Sequence, residues 1–173
     1  MTAPTEARRQ FDAALGWLQL GNWQEAHEEL ERLPAEMLAT PAVLVLRCRI
    51  YPHAGRWHTV EIMAEGAAHA YPEEPRFYTH WAWALHRQGR TADGLSVASQ
   101  AAERFIDSGA IAYAVACLYG ALEQVSDAAH WLKLALQRTH DPEKLRLRAL
   151  KQPELFCLWQ EADAELGPDD EDD

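Results

Sequence analysis

The tripeptides Gly21-Asn22-Trp23, Gly55-Arg56-Trp57 and Gly89-Arg90-Thr91 recur at intervals of 34 residues, and this spacing decides the fold. A further step of 34 residues reaches Glu123-Gln124-Val125, where glutamate stands in place of the glycine. A period of this length is typical of helix-turn-helix units stacked in an array. The sequence therefore predicts four helical hairpins, each with a turn near its middle.

Mostly small residues recur at matching positions on both sides of each turn. Small side chains let two helices approach closely, and each hairpin alone leaves an apolar face that only its neighbour can cover. The exceptions in size are Val60 and Leu33. The full set is Ala14, Cys48, Ala82 and Ala116 before the turns, then Ala26, Val60, Gly94 and Ala128, and finally Leu33, Ala67, Ala101 and Ala135.

Helix starts are marked by capping residues, whose side-chain oxygens accept hydrogen bonds from exposed amides. Thr40-Pro41 and Asp141-Pro142 each place a cap before a proline at the first helical position. Asn22, Thr91, Ser108 and Ser126 are the other expected caps. The expected helices span residues 5–20, 23–33, 41–51, 57–70, 75–88, 92–105, 109–122 and 126–138, followed by a shorter pair.

The pattern resembles the tetratricopeptide repeat (TPR) family over roughly residues 7–140. The large residue that the family places three positions after its first small one is here Trp17, Tyr51, Leu85 or Tyr119, and the closing proline survives as Pro72. Arg47, Leu33, Gly94 and Glu123 depart from the family pattern. The resemblance implies an all-α fold, a right-handed α-solenoid of four TPR-like helix-turn-helix units with a C-terminal capping helix pair.

A single TPR-like domain is expected over residues 1–166. Its units span residues 7–40, 41–74, 75–108 and 109–141, and residues 142–166 form the cap, with Leu155, Leu158 and Trp159 buried. Beyond them the acidic tail at residues 167–173 is expected to be disordered, because it offers no apolar residues for packing.

The charge balance restricts the partners. The chain of 173 residues carries 27 acidic and 16 basic residues, a net charge of -11, and five of the acidic residues are Asp169 to Asp173. Nucleic acids and anionic membranes attract positive surfaces, so neither is expected as a partner. The three cysteines show no metal-binding spacing, and no apolar run suggests export, so a cytoplasmic location is expected.

No motif for catalysis or metal binding is present. The sequence lacks a glycine-rich phosphate loop and the serine hydrolase and metalloprotease signatures, so we expect no enzymatic activity and no cofactor. His80 and His86 are six residues apart on one predicted helix, which is not the spacing of a metal-binding pair. Cys48 and Cys117 are interpreted as small core residues. Trp17, Trp23, Trp57 and Trp81 are expected inside the repeats.

Trp83 stands apart from these tryptophans. It follows Trp81 by two residues, a rotation of about 200° on a helix, so both cannot face the same core.

In the TPR family the first helices line a concave groove that binds ligands. The residues of this chain at the family's ligand-contacting positions are mainly basic and aromatic. The candidate groove residues are Arg8, Phe11, Leu15, Val45, Arg49, Arg76, Thr79, His80, Trp83, His86, Arg87 and Tyr113.

The predicted function is a non-catalytic protein-interaction module that binds an acidic peptide or helix of a partner. Arginine suits carboxylates because its planar fork donates two parallel hydrogen bonds, although arginines on a helix face can equally be solvated. The family's carboxylate clamp for chaperone tails is absent, since Phe11, Leu15 and Leu46 occupy its positions. The alternatives are a chaperone for bacterial secretion substrates, or a scaffold regulated by its own acidic tail. A homodimer is left open.

Overall fold

The computed structural model describes the backbone of residues 3–165 and the side chains of residues 6–160. In this part of the chain all regular structure is helical, so the predicted all-α class is confirmed. The helices are α1 (Ala3–Gln19), α2 (Trp23–Glu31), α3 (Ala35–Leu38), α4 (Pro41–Ile50), α5 (Trp57–Ala70), α6 (Pro75–Arg87), α7 (Thr91–Arg104), α8 (Gly109–Ala121), α9 (Val125–Arg138), α10 (Pro142–Ala149) and α11 (Phe156–Glu165), with 3-10 turns at Tyr51–Ala54 and Pro153–Leu155.

The predicted helix boundaries agree with these bounds to within about two residues. Only the four-residue α3 was not predicted, because a single helical turn has no periodicity to detect. The helices form two compact units, Met1–Gln88 with α1 to α6 and Gly89–Asp173 with α7 to α11. The single domain predicted over residues 1–166 stays a prediction.

The four predicted turns share one backbone conformation. Gly21, Gly55 and Gly89 have positive φ angles of 80°, 68° and 82°, and Glu123 has a φ of 57°. Glu123 is the only non-glycine residue with positive φ in the described chain. A β-carbon disfavours this left-handed conformation, which explains the glycine at three of the four turns. The turn predicted at Glu123 without its glycine is thereby confirmed.

The recurrent small positions form the contacts between helices. All twelve are buried, including the larger Val60 and Leu33. Gly109 shows how close the helices come, because a β-carbon there would lie 3.1 Å from the carbonyl oxygens of Ala135 and Arg138 on α9. The 34-residue pattern therefore marks the packing surface of each hairpin.

Three of the predicted caps form as expected. The side chains of Asn22, Ser108 and Asp141 accept hydrogen bonds from backbone amides of α2, α8 and α10. Thr40 precedes α4, but its hydroxyl donates to the carbonyl oxygen of Met37 at 2.8 Å instead. Thr91 and Ser126 lie within the first turn of their helices and are not caps.

In the unit Met1–Gln88, consecutive helices pack around three apolar clusters. Trp23, Trp57 and Trp81 are partly buried against these clusters, in agreement with prediction. Trp17 is 38% exposed, so its predicted interior position is wrong. It lies near the end of α1, which ends at Gln19.

In the unit Gly89–Asp173, α8 is buried on nearly all sides. It packs against α7 and α9 and against the turn Pro153–Leu155, while α10 and α11 pack against α9. Leu155 is fully buried as predicted, whereas Leu158 and Trp159 are only partly buried. The predicted disorder of residues 167–173 concerns a segment outside the described residues. Within the described chain, no helix combines the length and apolar character needed to cross a membrane.

Candidate functional site

Helix α6 carries six of the candidate residues along one side. Glu74 caps the helix by accepting a hydrogen bond from the Arg76 amide, and Pro75 occupies its first turn. Its buried face packs through Phe77, Ala82, Ala84 and Leu85. Steps of three and four residues place the candidates in a continuous stripe on the opposite side. They are Arg76, Thr79, His80, Trp83, His86 and Arg87.

Two arginines act on His80 in the unit Met1–Gln88. Burial is the main cause that lowers the pKa of His80 to about 4, and the positive charges of Arg49 on α4 and Arg76 on α6 contribute to the same shift. The imidazole is therefore neutral at neutral pH. Arg49 is exposed, and no ion pair joins it to another described residue. The structure thus brings together three of the predicted residues from two helices.

Arg76 is held by the residue that caps its own helix. Its guanidinium donates to both carboxylate oxygens of Glu74, at 2.8 and 2.6 Å. The hydrogen bond from Arg76 is the main cause that lowers the pKa of Glu74. A carboxylate ligand of Arg76 would therefore compete with Glu74. No pattern in the sequence indicates this partner.

The C-terminal half of α6 carries two aromatic contacts. The rings of Trp83 and His86 meet edge to face, with centroids 5.5 Å apart. The Arg87 guanidinium lies over the Trp57 ring, 5.3 Å from its centroid. Trp83 and Trp81 face different surroundings as predicted, since Trp81 packs against the apolar clusters. The Thr79 hydroxyl donates to the Arg76 carbonyl oxygen at 2.8 Å.

The candidates on α1 are less available than expected. Arg8 donates to both carboxylate oxygens of Asp12, at 3.2 and 3.0 Å. Phe11 and Leu15 are partly buried and pack against the first apolar cluster. Phe11 and Leu15 therefore contribute to the stability of the unit, and only parts of these two side chains are accessible to a ligand.

Val45 corrects the predicted set. It is 5% exposed and packs with Ala67, Ala68 and Phe77, so it is a core residue of the α4, α5 and α6 contact. The predicted position depends only on the number of residues from the repeat boundary. Burial depends on the neighbouring helix, and counting along one helix does not reveal that neighbour.

Tyr113 is a second correction, in the unit Gly89–Asp173. It is 3% exposed, because the C-terminal chain lies over it. The Arg148 guanidinium stands 4.7 Å from its ring centroid, and its hydroxyl donates to Oε1 of Gln152 at 3.5 Å. The Glu154 carbonyl oxygen fills the space that a β-carbon on Gly120 would need. The predicted groove face of α8 is therefore covered by residues 148–157.

The cysteines and histidines form no chemical centre in the described chain. Burial raises the pKa of Cys48 and Cys117 to about 12, which agrees with their interpretation as core residues. Among the described side chains, no three His, Cys, Asp or Glu residues converge on a point that could hold a metal ion.

Comparison with known proteins identifies the fold. No protein-family model and no curated protein matches the sequence. A solved structure titled "MamA MSR-1 C2" superposes with a TM-score of 0.57 at 17% identity, covering 83% of this chain and 78% of that chain. MamA is a TPR-containing protein. The chain therefore has a TPR-like α-helical repeat fold.

Proposed function

We propose that this protein is a non-catalytic interaction module that binds an acidic segment of a partner protein on the α4–α6 face. This face consists of Arg49 on α4 and the stripe of six candidate residues on α6, of which Arg76 and Arg87 are exposed and the other four are partly buried. The proposal rests on one main observation: the exposed Arg49 guanidinium lies near a neutral histidine and a second arginine and has no described ion-pair partner. In a chain with 27 acidic and 16 basic residues, such a position favours an external carboxylate.

The chemistry of the face suits a peptide with acidic and apolar residues. Arg49 can hold a carboxylate with two parallel hydrogen bonds, and neutral His80 can donate or accept one more. Trp83 offers an apolar surface, and interfaces draw most of their affinity from such arginine and aromatic anchors. Arg76 would join after release from Glu74. The partner would thus place a carboxylate near Arg49 and an apolar side chain near Trp83.

A random peptide library displayed on phage tests this proposal. Wild-type protein should enrich peptides that contain acidic residues at a constant distance from an apolar one. Arg49→Ala should weaken binding of the enriched peptides by about tenfold or more, as expected for an anchor residue. Arg32→Ala is the matched control, because Arg32 lies at the end of α2, outside the residues that form the α4–α6 face, and already pairs with Glu28 and Glu29.

Trp83→Ala should lower the affinity of the same peptides by a similar factor. Enrichment of peptides without acidic residues would contradict the proposal. Equal losses for Arg49→Ala and Arg32→Ala would also contradict it, because the effect would then reflect net charge and these arginines would be solvated residues only.

A further inference from the structure

We propose that the unit Gly89–Asp173 carries a second binding site, an apolar groove on α9, α10 and α11 that takes an amphipathic helix with acidic flanks from a partner protein. We call it the α9–α11 groove. It shares no residue with the α4–α6 face, so it goes beyond the function proposed above.

The floor of the groove is one face of α9. Val125, Ala129, Leu132 and Leu136 line it at steps of four, three and four residues. Residues at such steps form a straight ridge, and this one runs about 16 Å along the helix axis. The walls come from α10 and α11, and the cavity has a volume of about 990 Å³. A ridge and groove of this form match the packing surface of another helix of about three turns.

The groove is apolar and open. Leu150 on one wall is 54% exposed, and Leu158 and Trp159 on the other wall are partly buried. In a helical repeat, the apolar face of one hairpin is normally covered by the next helix. Although α10 and α11 pack against α9, Ala129 on the groove floor is exposed and Val125 and Leu136 are only partly buried. The groove therefore presents the kind of surface that another helix would complete.

The charges at the groove indicate which residues should flank the apolar stripe of the bound helix. Two of the residues that line the groove are basic and none is acidic, although the chain as a whole is acidic. Lys133 and Arg146 lie at the groove itself. Lys133 is exposed and forms no ion pair within the described chain. Complementary potentials favour a helix with acidic residues beside its apolar stripe.

A second copy of this chain fits less well. Outside residues 147–156, the large apolar side chains that are exposed in the described chain are Trp17, Leu20, Ile62 and Ile106. They lie on different elements, apart from Trp17 and Leu20 near the end of α1. No described helix therefore offers the continuous apolar stripe that the groove requires, which favours a different protein as the occupant.

A designed peptide tests the site directly. It has about 16 residues, with leucines at steps of four, three and four, and glutamates beside them. Fluorescence anisotropy of the labelled peptide with the full chain should give a Kd below about 100 μM. A peptide with lysine in place of every glutamate should bind at least about tenfold more weakly. Raising the salt concentration from about 0.05 to 0.5 M should weaken the binding of the acidic peptide, since salt screens exposed charges.

Two matched pairs of variants locate the site. Leu150→Glu and Lys133→Glu alter groove residues, and each should lower the affinity for the acidic peptide by about tenfold or more. Leu147→Glu and Lys144→Glu introduce the same changes outside the groove, where Leu147 is 61% exposed, and should leave the affinity within about twofold. Circular dichroism at matched concentration checks that all four variants are folded. If Leu150→Glu does not fold, Lys133→Glu still tests the groove.

Four outcomes would overturn the proposal. The first is equal affinity for the glutamate and lysine peptides, and the second is equal effects of the groove and control variants. The third is sedimentation of the wild-type chain as a dimer that Leu150→Glu dissociates, because the occupant would then be a second copy. The fourth is binding of the acidic peptide only after removal of residues 161–173, because the chain's own end would then be the occupant.

Discussion

The carbonyl oxygen of Glu154 lies where a β-carbon on Gly120 would have to stand. This close contact seats the turn Pro153–Leu155 on α8 and buries Leu155 completely. Cys157 reaches the same place, since its sulfur lies 3.8 Å from the Gly120 carbonyl oxygen. A single glycine on α8 therefore permits the C-terminal chain to cover the face that carries Tyr113.

Gly120→Ala should displace this segment from α8. Because the clash is with backbone, we expect the free energy of unfolding to fall by about 1–3 kcal/mol in urea denaturation. Gly66→Ala is the control: Gly66 lies on α5 with open space around it, and alanine there should stabilise the chain by about 0.5–1 kcal/mol. Similar effects of the two substitutions would show that the C-terminal chain adjusts without cost.

The positive φ of Glu123 should make glycine the better residue at this turn. We expect Glu123→Gly to raise the free energy of unfolding by about 0.5–1 kcal/mol, because it relieves left-handed strain but increases the freedom of the unfolded chain. Gly55→Ala, at the equivalent turn with a φ of 68°, should lower it by about 1 kcal/mol. Thermal and urea unfolding show whether each substitution raises or lowers the free energy of unfolding. Destabilisation by Glu123→Gly would contradict the presence of strain at this turn.

The lowered pKa of His80 should link stability to pH. Between about 4 in the folded state and the ordinary value of 6.5, the unfolded chain binds a proton that folded His80 does not bind. The free energy of unfolding should therefore fall as the pH decreases through this range, with a slope of up to about 1.4 kcal/mol per pH unit. The free energy of unfolding of the wild type minus that of His80→Gln, measured at each pH, isolates this contribution. The other titratable groups contribute equally to both proteins, so their pH dependence cancels in the difference. A difference independent of pH would contradict it.

The three cysteines should react at different rates. Cys157 is partly buried, whereas Cys48 and Cys117 are buried with pKa values raised to about 12. Since the thiolate is the reactive form, a disulfide reagent at pH 8 should label one thiol quickly in the native state, and Cys157→Ser should remove that phase. In Gly120→Ala, Cys117 should become the second thiol to react. Fast labelling of Cys48 in the wild type would contradict the burial.

The helices and turns could be predicted because their causes are local or periodic. Gly21, Gly55 and Gly89 mark the left-handed turns, and the fixed interval located the fourth at Glu123, where no glycine is present. The candidate residues of α6 were predicted from the ligand-contacting positions that the resemblance to the TPR family implies. Val45 and Tyr113 could not be placed in the same way, because each is buried by a segment that lies elsewhere in the chain.

By itself, the sequence determined the repeat, the helix boundaries and the set of buried small residues, since these depend on backbone conformation and on the spacing of side chains along one helix. Tertiary structure alone decided which candidate side chains remain accessible. Glu74 holds Arg76, residues 148–157 cover α8, and α9, α10 and α11 leave an apolar groove beside Lys133. The physical reason is that exposure and ion pairing depend on contacts between residues far apart in the chain, which no local pattern contains.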